Sequence, residues 1–297
     1  LLSFRSDFNN RMLLTNNEIK FIAEDNRNRL FIGTQRGWCY LDKTTYEIKN
    51  LNEGPVTTET IRYIKCTQQG DIWVGYDDKL IRFNSDLDRY VDYSAKTTHP
   101  IYVNSIYEDR DGTIWILNWN SGLYKYDVER DALVRYPKIG KTDNPFIMFQ
   151  DKEGRYWIGT WGDGLYLFNP HAGAAGMYTP VSAYHKTRKQ TEDTFFGMVQ
   201  DDVFGYLWTV GLTGLSVFDL SGAGPRIKDD ISVRNESNNV FSGILKDKEG
   251  NIWIGSSNEG VYMIDVRRPP IENYPLLAIK DLSGFTPNIN MMYKDYE

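Results

Sequence analysis

One phrase recurs six times along the 297 residues, and no other feature of the chain limits its fold as strongly. An apolar stretch runs into an acidic turn closed by Gly, then a short run carrying an aromatic, a second tight turn and a third run. Asn104 to Asp127 reads NSIYEDRDGTIWILNWNSGLYKYD, Gln150 to Asn169 reads QDKEGRYWIGTWGDGLYLFN, and Lys246 to Asp265 reads KDKEGNIWIGSSNEGVYMID. Looser copies begin at Glu24, Thr67 and Asp201. The aromatic anchor falls at Phe31, Trp73, Trp115, Trp157, Trp208 and Trp253, at intervals of 42, 42, 42, 51 and 45 residues. Five of the eight Trp occupy that slot. Self-similarity at such a period is the signature of a repeat architecture.

Each copy reads as strands. Trp115-Ile116-Leu117 and Leu123-Tyr124-Lys125-Tyr126 are β-forming runs bounded by Asp111-Gly112 and Asn120-Ser121-Gly122, turns short enough to demand antiparallel hairpins. Ala132 to Tyr136 supplies a fourth, more polar strand suited to a solvent-facing edge. Four strands in ~42 residues make a propeller blade, and a blade must stack on neighbours to bury its faces. The expected fold is all-β, a β-propeller of four-stranded antiparallel blades occupying 1–297 as a single unit. Leu1 to Arg5 aligns with a third strand and Asn290 to Asp295 with an innermost one. A seventh blade split between 1–14 and 285–297 is therefore expected, and the missing initiator Met agrees with a segment of a longer protein.

Composition narrows the function. Thirty-four Lys plus Arg against 40 Asp plus Glu give a net charge of −6, which offers no electrostatic footprint for nucleic acid. No apolar run is long enough to insert in a membrane, and the first residues do not read as a signal peptide. Cys39 and Cys66 lack zinc-ligand spacing and read as small packing residues. Asp109-Arg110-Asp111-Gly112 resembles a calcium loop, but Asn120 stands where the twelfth-position Glu belongs, and a tight turn selects the same residues. The Gly-rich run Gly159 to Gly164 leads into a strand, not the helix a phosphate loop requires. The three His form no HExxH pair and no G-x-S-x-G elbow exists, so no catalytic residue, cofactor or metal ligand is expected.

The phrase Asp-x-Asp/Glu-Gly-x-Ile/Leu-Trp-Ile/Val-Gly-Thr/Ser, followed by Gly-Leu/Val and a closing Asp/Asn, is best shown at Asp151 to Asn169 and Asp247 to Asp265. It resembles the two-component regulator propeller repeat of periplasmic sensor regions in Bacteroidetes hybrid two-component systems. The resemblance implies an extracytoplasmic, non-catalytic sensor in a protein that regulates glycan utilisation, with a histidine kinase elsewhere in the parent chain. It also implies neighbouring propeller and sandwich domains, and it is compatible with a homodimer. The repeat is similar as well to that of streptogramin-type lyases, which place His and Glu with a metal at the channel mouth; here only His99 precedes an inner strand.

Loops are where such folds carry function. Those leading into the inner strands and those joining second to third strands gather at one mouth of the channel, opposite the Asp-Gly turns. They contribute Arg36, Asp77, Asp78, His99, Tyr102, Asn104, Trp119, Asn120, Trp161, Asp163, Asn258 and Glu259 as candidate ligand-binding residues. Aromatic plates beside amides and carboxylates suit a sugar ring, which has apolar faces and a rim of hydroxyls. Trp119 and Trp161 are the expected plates for an oligosaccharide, and plugs against a neighbouring domain are the competing role. Asn169 to Asp193, with His171 and the basic Lys186 to Lys189, reads as an inserted loop able to meet an acidic glycan or a partner domain. Three functions compete: a carbohydrate sensor, a scaffold without its own ligand, and a metal-assisted lyase.

Overall fold

The computed structural model describes residues 14–51, 59–181, 194–212, 214–222, 224–232, 240–257 and 260–267. Among them, six antiparallel sheets follow one another along the chain, five of four strands and the last of three. Within each the strands lie in sequence order, from the inner strand outward. The inner strands are Ile19–Glu24, Ile61–Cys66, Val103–Glu108, Pro145–Gln150, Phe195–Gln200 and Phe241–Lys246. Each of the first five packs on the inner strand of the next blade. The β-propeller is therefore as expected. Residues 1–13 and 268–297, which would hold the split seventh blade, lie outside the described residues.

Packing explains the recurring phrase. The anchor aromatic points into the following blade: Trp73 packs with Ile106 and Ile114, Trp115 with Ile158 and Phe168, and Trp157 with Leu207 and Phe218. Trp73, Trp115 and Trp157 are almost wholly buried. A buried indole N–H needs a partner. The acidic turn supplies it, since Trp115, Trp157, Trp208 and Trp253 donate from Nε1 to Asp109, Asp151, Asp201 and Asp247 at 2.9, 2.8, 2.9 and 2.7 Å. The first blade has Phe31 in the anchor slot, and there Asp25 pairs with Arg29 at 2.6 Å while the guanidinium lies over the Phe31 ring. One turn thus satisfies itself and the core in the same stroke. Asp109 Oδ1 also accepts from the backbone N–H of Asp111 and Thr113, leaving nothing of a calcium loop.

The Gly after the anchor has its own reason. A Cβ added at Gly75 would stand 2.6 Å from Val103 Cβ, and one at Gly159 2.6 Å from Phe195 Cβ. These glycines let the next blade's inner strand come close enough to seal the core. Part of the expected insertion is regular structure: Tyr178–Pro180 is the outer strand of the fourth blade, entered through a short 3₁₀ turn at Ala174–Gly176. Residues 182–193, including the basic cluster, lie outside the described residues. Both cysteines are free, and burial pushes the thiols up to about 11 at Cys39 and about 12 at Cys66, as packing residues would be. Among the described residues no helix is long and apolar enough to cross a membrane.

Candidate functional site

The two sets of loops named from sequence do meet at one mouth. In five of the six blades the residue after the second strand donates its N–H to the carbonyl just before an inner strand: Gln35 to Glu18, Trp119 to Tyr102, Trp161 to Asn144, Leu212 to Thr194 and Ser257 to Val240, at 2.8–3.1 Å. Asn144 ties two of these turns together. Its backbone carbonyl holds the Trp161 N–H, and its buried side-chain Oδ1 accepts the Asn120 N–H at 2.6 Å. Asn120 sits at φ 55°, a left-handed conformation that Asn tolerates better than most residues. Asn118 acts below it, accepting the Tyr102 N–H at 2.5 Å and donating to the Pro100 carbonyl at 3.1 Å.

Apart from Asn104, sequence reasoning missed a second ring of residues. The pairing of every inner strand with its second strand slips by one residue near the mouth, leaving Lys20, Arg62, Asn104, Phe146, Phe196 and Ser242 as bulge residues. A bulge re-aims one side chain out of the pleat. Phe146 and Phe196 accordingly reach the loop tryptophans. Ring centroids are 5.4 Å apart for Trp119 and Trp161, 5.6 Å for Phe146 and Trp161, 6.0 Å for Trp161 and Phe196, and 5.6 Å for Phe146 and Phe196. All but the tilted Phe146–Trp161 pair are edge-to-face, the geometry that ring quadrupoles favour. The cluster is not sealed, since Trp161 remains 37% exposed. A bulge of fixed register across blades is the signal that could have found these residues, but single-chain pattern reading does not resolve register.

The other half of the mouth is ionic. Arg62 stacks on the Tyr102 ring, 4.7 Å from its centroid, and pairs with Asp77. Lys20 pairs with Glu18, and Lys79 with Glu59 at 2.6 Å. Of the remaining candidates here, Arg36 and Asp78 are exposed and opposite in sign. The charges of this half cancel, so it offers donors and acceptors without a net field.

Three candidates need correction or relocation. Asp163 is buried, and its Oδ2 accepts the N–H groups of Lys141 and Thr142 and the Thr142 hydroxyl at 2.6–2.8 Å. Its carboxylate closes a backbone loop that would otherwise leave N–H groups unpaired, and it is not free for a ligand. Asn104 spends its amide N–H on the Pro145 carbonyl at 2.9 Å. His99 is exposed and meets Thr98 at 3.0 Å. Among the described residues no group of three or more His, Cys, Asp or Glu is placed to hold a metal. Asn258 and Glu259 lie outside the described residues.

Fold and mouth together define the class: a repeat β-propeller with an aromatic-lined channel mouth. Residues 99–120, 140–162 and 235–258 match the sequence profile of the two-component regulator propeller. Those stretches include part of the phrase at Asp151 to Asn169 and of that at Asp247 to Asp265, the phrase whose resemblance to this repeat the sequence showed. Among curated proteins no sequence matches it significantly. Similar solved structures include the extracellular domain of a protein described as the hybrid two component system BT3049 from B. thetaiotaomicron. That likeness has a TM-score of 0.69 at 20% identity and covers 90% of this chain and 36% of that one. The extracellular domain of BT4673 from the same organism, described as a one component system, gives 0.66 at 18%, covering 87% and 33%. A streptogramin B lyase gives 0.62 at 16%, covering 84% of both chains. The chain spans about a third of the length of the first two. At these identities the likenesses speak for the fold.

Proposed function

We propose that this propeller is a non-catalytic, extracytoplasmic sensor module of a two-component signalling protein, and that its mouth takes a carbohydrate fragment whose arrival regulates glycan utilisation. The observation that carries the reading is the open cluster of Trp119, Phe146, Trp161 and Phe196 beside the ion-paired half of the mouth. A sugar's apolar face stacks on such rings, while Arg62, Asp77 and the exposed amide of Asn120 meet hydroxyls. Because the charges of the polar half cancel, a neutral saccharide suits the mouth better than an acidic one. The periplasm as its compartment and neighbouring propeller and sandwich domains as partners follow from the family resemblance.

Signalling requires the ligand to bind one domain arrangement better than another, because a ligand without differential affinity shifts no equilibrium. Calorimetry of the chain against neutral and uronate-containing oligosaccharides tests the reading. Neutral ligands are expected to bind, and Trp161→Ala to weaken them about tenfold. Failure of every saccharide to bind both this chain and its parent sensor region would overturn it. A second reading uses the same cluster: exposed aromatic rings at a channel mouth also suit contact with another domain, and binding seen only in the longer protein would favour a scaffold.

A further inference from the structure

The opposite end of the channel carries a second, chemically different cleft. The lower ends of the inner strands of the fourth, fifth and sixth blades, with Arg110 of the third, line an open cleft of about 440 Å³. Phe149, Val199 and Leu245 form its apolar wall, and Arg110, Lys152 and Lys246 its rim. Ligand cavities span roughly 300–1,000 Å³, so this one suits a small molecule.

The rim is unevenly neutralised. Lys152 and Lys246 share a single carboxylate, that of Asp202, at 2.8 and 2.9 Å. Arg110 gives its guanidinium only to the Lys152 carbonyl, at 3.1 Å, and forms no ion pair among the described residues. Three cations therefore face one acid. An ammonium has three donors and a guanidinium five. Lys152 spends two, on Asp202 and on the Asp201 carbonyl, and Lys246 is spent on the two oxygens of Asp202. Most of the Arg110 fork and part of both ammonium groups remain for an incoming anion.

Local irregularity marks the same place. The acidic turn of the fifth blade has one residue more than the others, its Trp208 lying seven residues beyond Asp201, not six. It presents Val203 and Phe204 at 46% and 59% exposure, with Phe204 stacked on Tyr206 at 5.3 Å. The corresponding positions of the neighbouring turns, Asp111, Glu153 and Glu249, are acidic. The fifth turn keeps an acid all the same, as Asp202 one place earlier, where the neighbouring turns have Arg110, Lys152 and Lys248, so its apolar tip follows the one carboxylate that the two lysines share.

We propose that this cleft is a binding site, separate from the mouth, for a small amphipathic carboxylate: an anionic head held by Arg110 and the two lysines, and an apolar body laid against Phe149, Val199 and Leu245. Nothing in the sensing role of the mouth is needed for it.

Titration of the chain with decanoate below its micelle concentration, with decanol as the uncharged control, tests the site by thermal shift and calorimetry. Decanoate is expected to raise the melting temperature by mass action, decanol to leave it unchanged, and added salt to weaken the effect. Arg110→Ala, which removes an exposed side chain, and Leu245→Glu should each weaken decanoate at least tenfold. Asp202→Asn, which removes the competing acid, should tighten it severalfold, and Trp161→Ala should leave it unchanged. Equal stabilisation by decanol, absence of decanoate binding, or undiminished binding in Arg110→Ala would overturn the proposal.

Discussion

The two ends of the channel are made by the same six repeats, yet they treat variation in opposite ways. At the turn face the turn aspartates and the last residues of the inner strands are spent on structure. Asp turns hold the indoles, and the ends of inner strands staple each blade to the one before: Glu108 accepts the Gln68 N–H, Gln150 that of Arg110 and Gln200 that of Lys152, at 2.7–3.1 Å. At the mouth backbone links, loop N–H to loop carbonyl, join the loops with help from Asn118, Asn144 and Asp163, and side chains such as Trp119, Trp161, Arg62 and Phe196 are released from holding the fold. A surface whose hydrogen bonds are made by the main chain can change its residues from blade to blade at little cost. That separation is why one end can be uniform and the other various.

The comparison breaks most readily at the turn face. Asp151→Ala would leave the buried Trp157 N–H without its acceptor and Arg155, held by Asp151 at 2.7 Å, with only the exposed Glu153 at 3.2 Å as counter-charge. A loss of about 3–5 kcal/mol in urea unfolding is expected, as for a buried pair deprived of one partner, with the mouth ligand's affinity unchanged in the folded fraction. Gly159→Ala forces a Cβ into Phe195 and should cost about 1–3 kcal/mol in the same measurement. Asn144→Ala sharpens the other side of the contrast. Loss of its contact with the Asn120 N–H should cost about 1 kcal/mol of stability while weakening saccharide binding by more than that, because the Trp119 turn loses its anchor.

The smallest effect expected is a pH dependence at the turn face. Hydrogen bonds from Lys152, then Lys246, hold the Asp202 carboxyl down at about 2. A group depressed on folding contributes stability above its unfolded value, near 4, and loses it as pH falls towards 2. The acid limb of unfolding should therefore be shallower in Asp202→Asn between about pH 4 and pH 2, and high salt should shrink the difference, since the pair is exposed. An unchanged acid limb would show that the lysine clamp contributes nothing to folding.

Much of the fold was legible because the repeat states it redundantly. Phe31, Trp73, Trp115, Trp157, Trp208 and Trp253 mark the blades, and the Gly turns mark the hairpins. The mouth was half legible. Trp119 and Trp161 could be placed on it, since loop positions follow from strand order. Asp163 could not be told from a ligand-binding acid, because its use depends on where the Lys141 and Thr142 N–H groups lie. Phe146 and Phe196 read as ordinary strand residues, since an alternating pattern gives no sign that one residue has slipped out of register.

The amino-acid order by itself determined the blade, the number of repeats and the end of the channel at which variation gathers, because these rest on local turn chemistry and on a period repeated six times. Only the tertiary structure decided which varied residues face the mouth and which are consumed by the backbone. It alone set three cations against a single acid at the far end of the channel. Those outcomes depend on strand register and on contacts between blades some forty residues apart, distances along the chain over which no local pattern carries information.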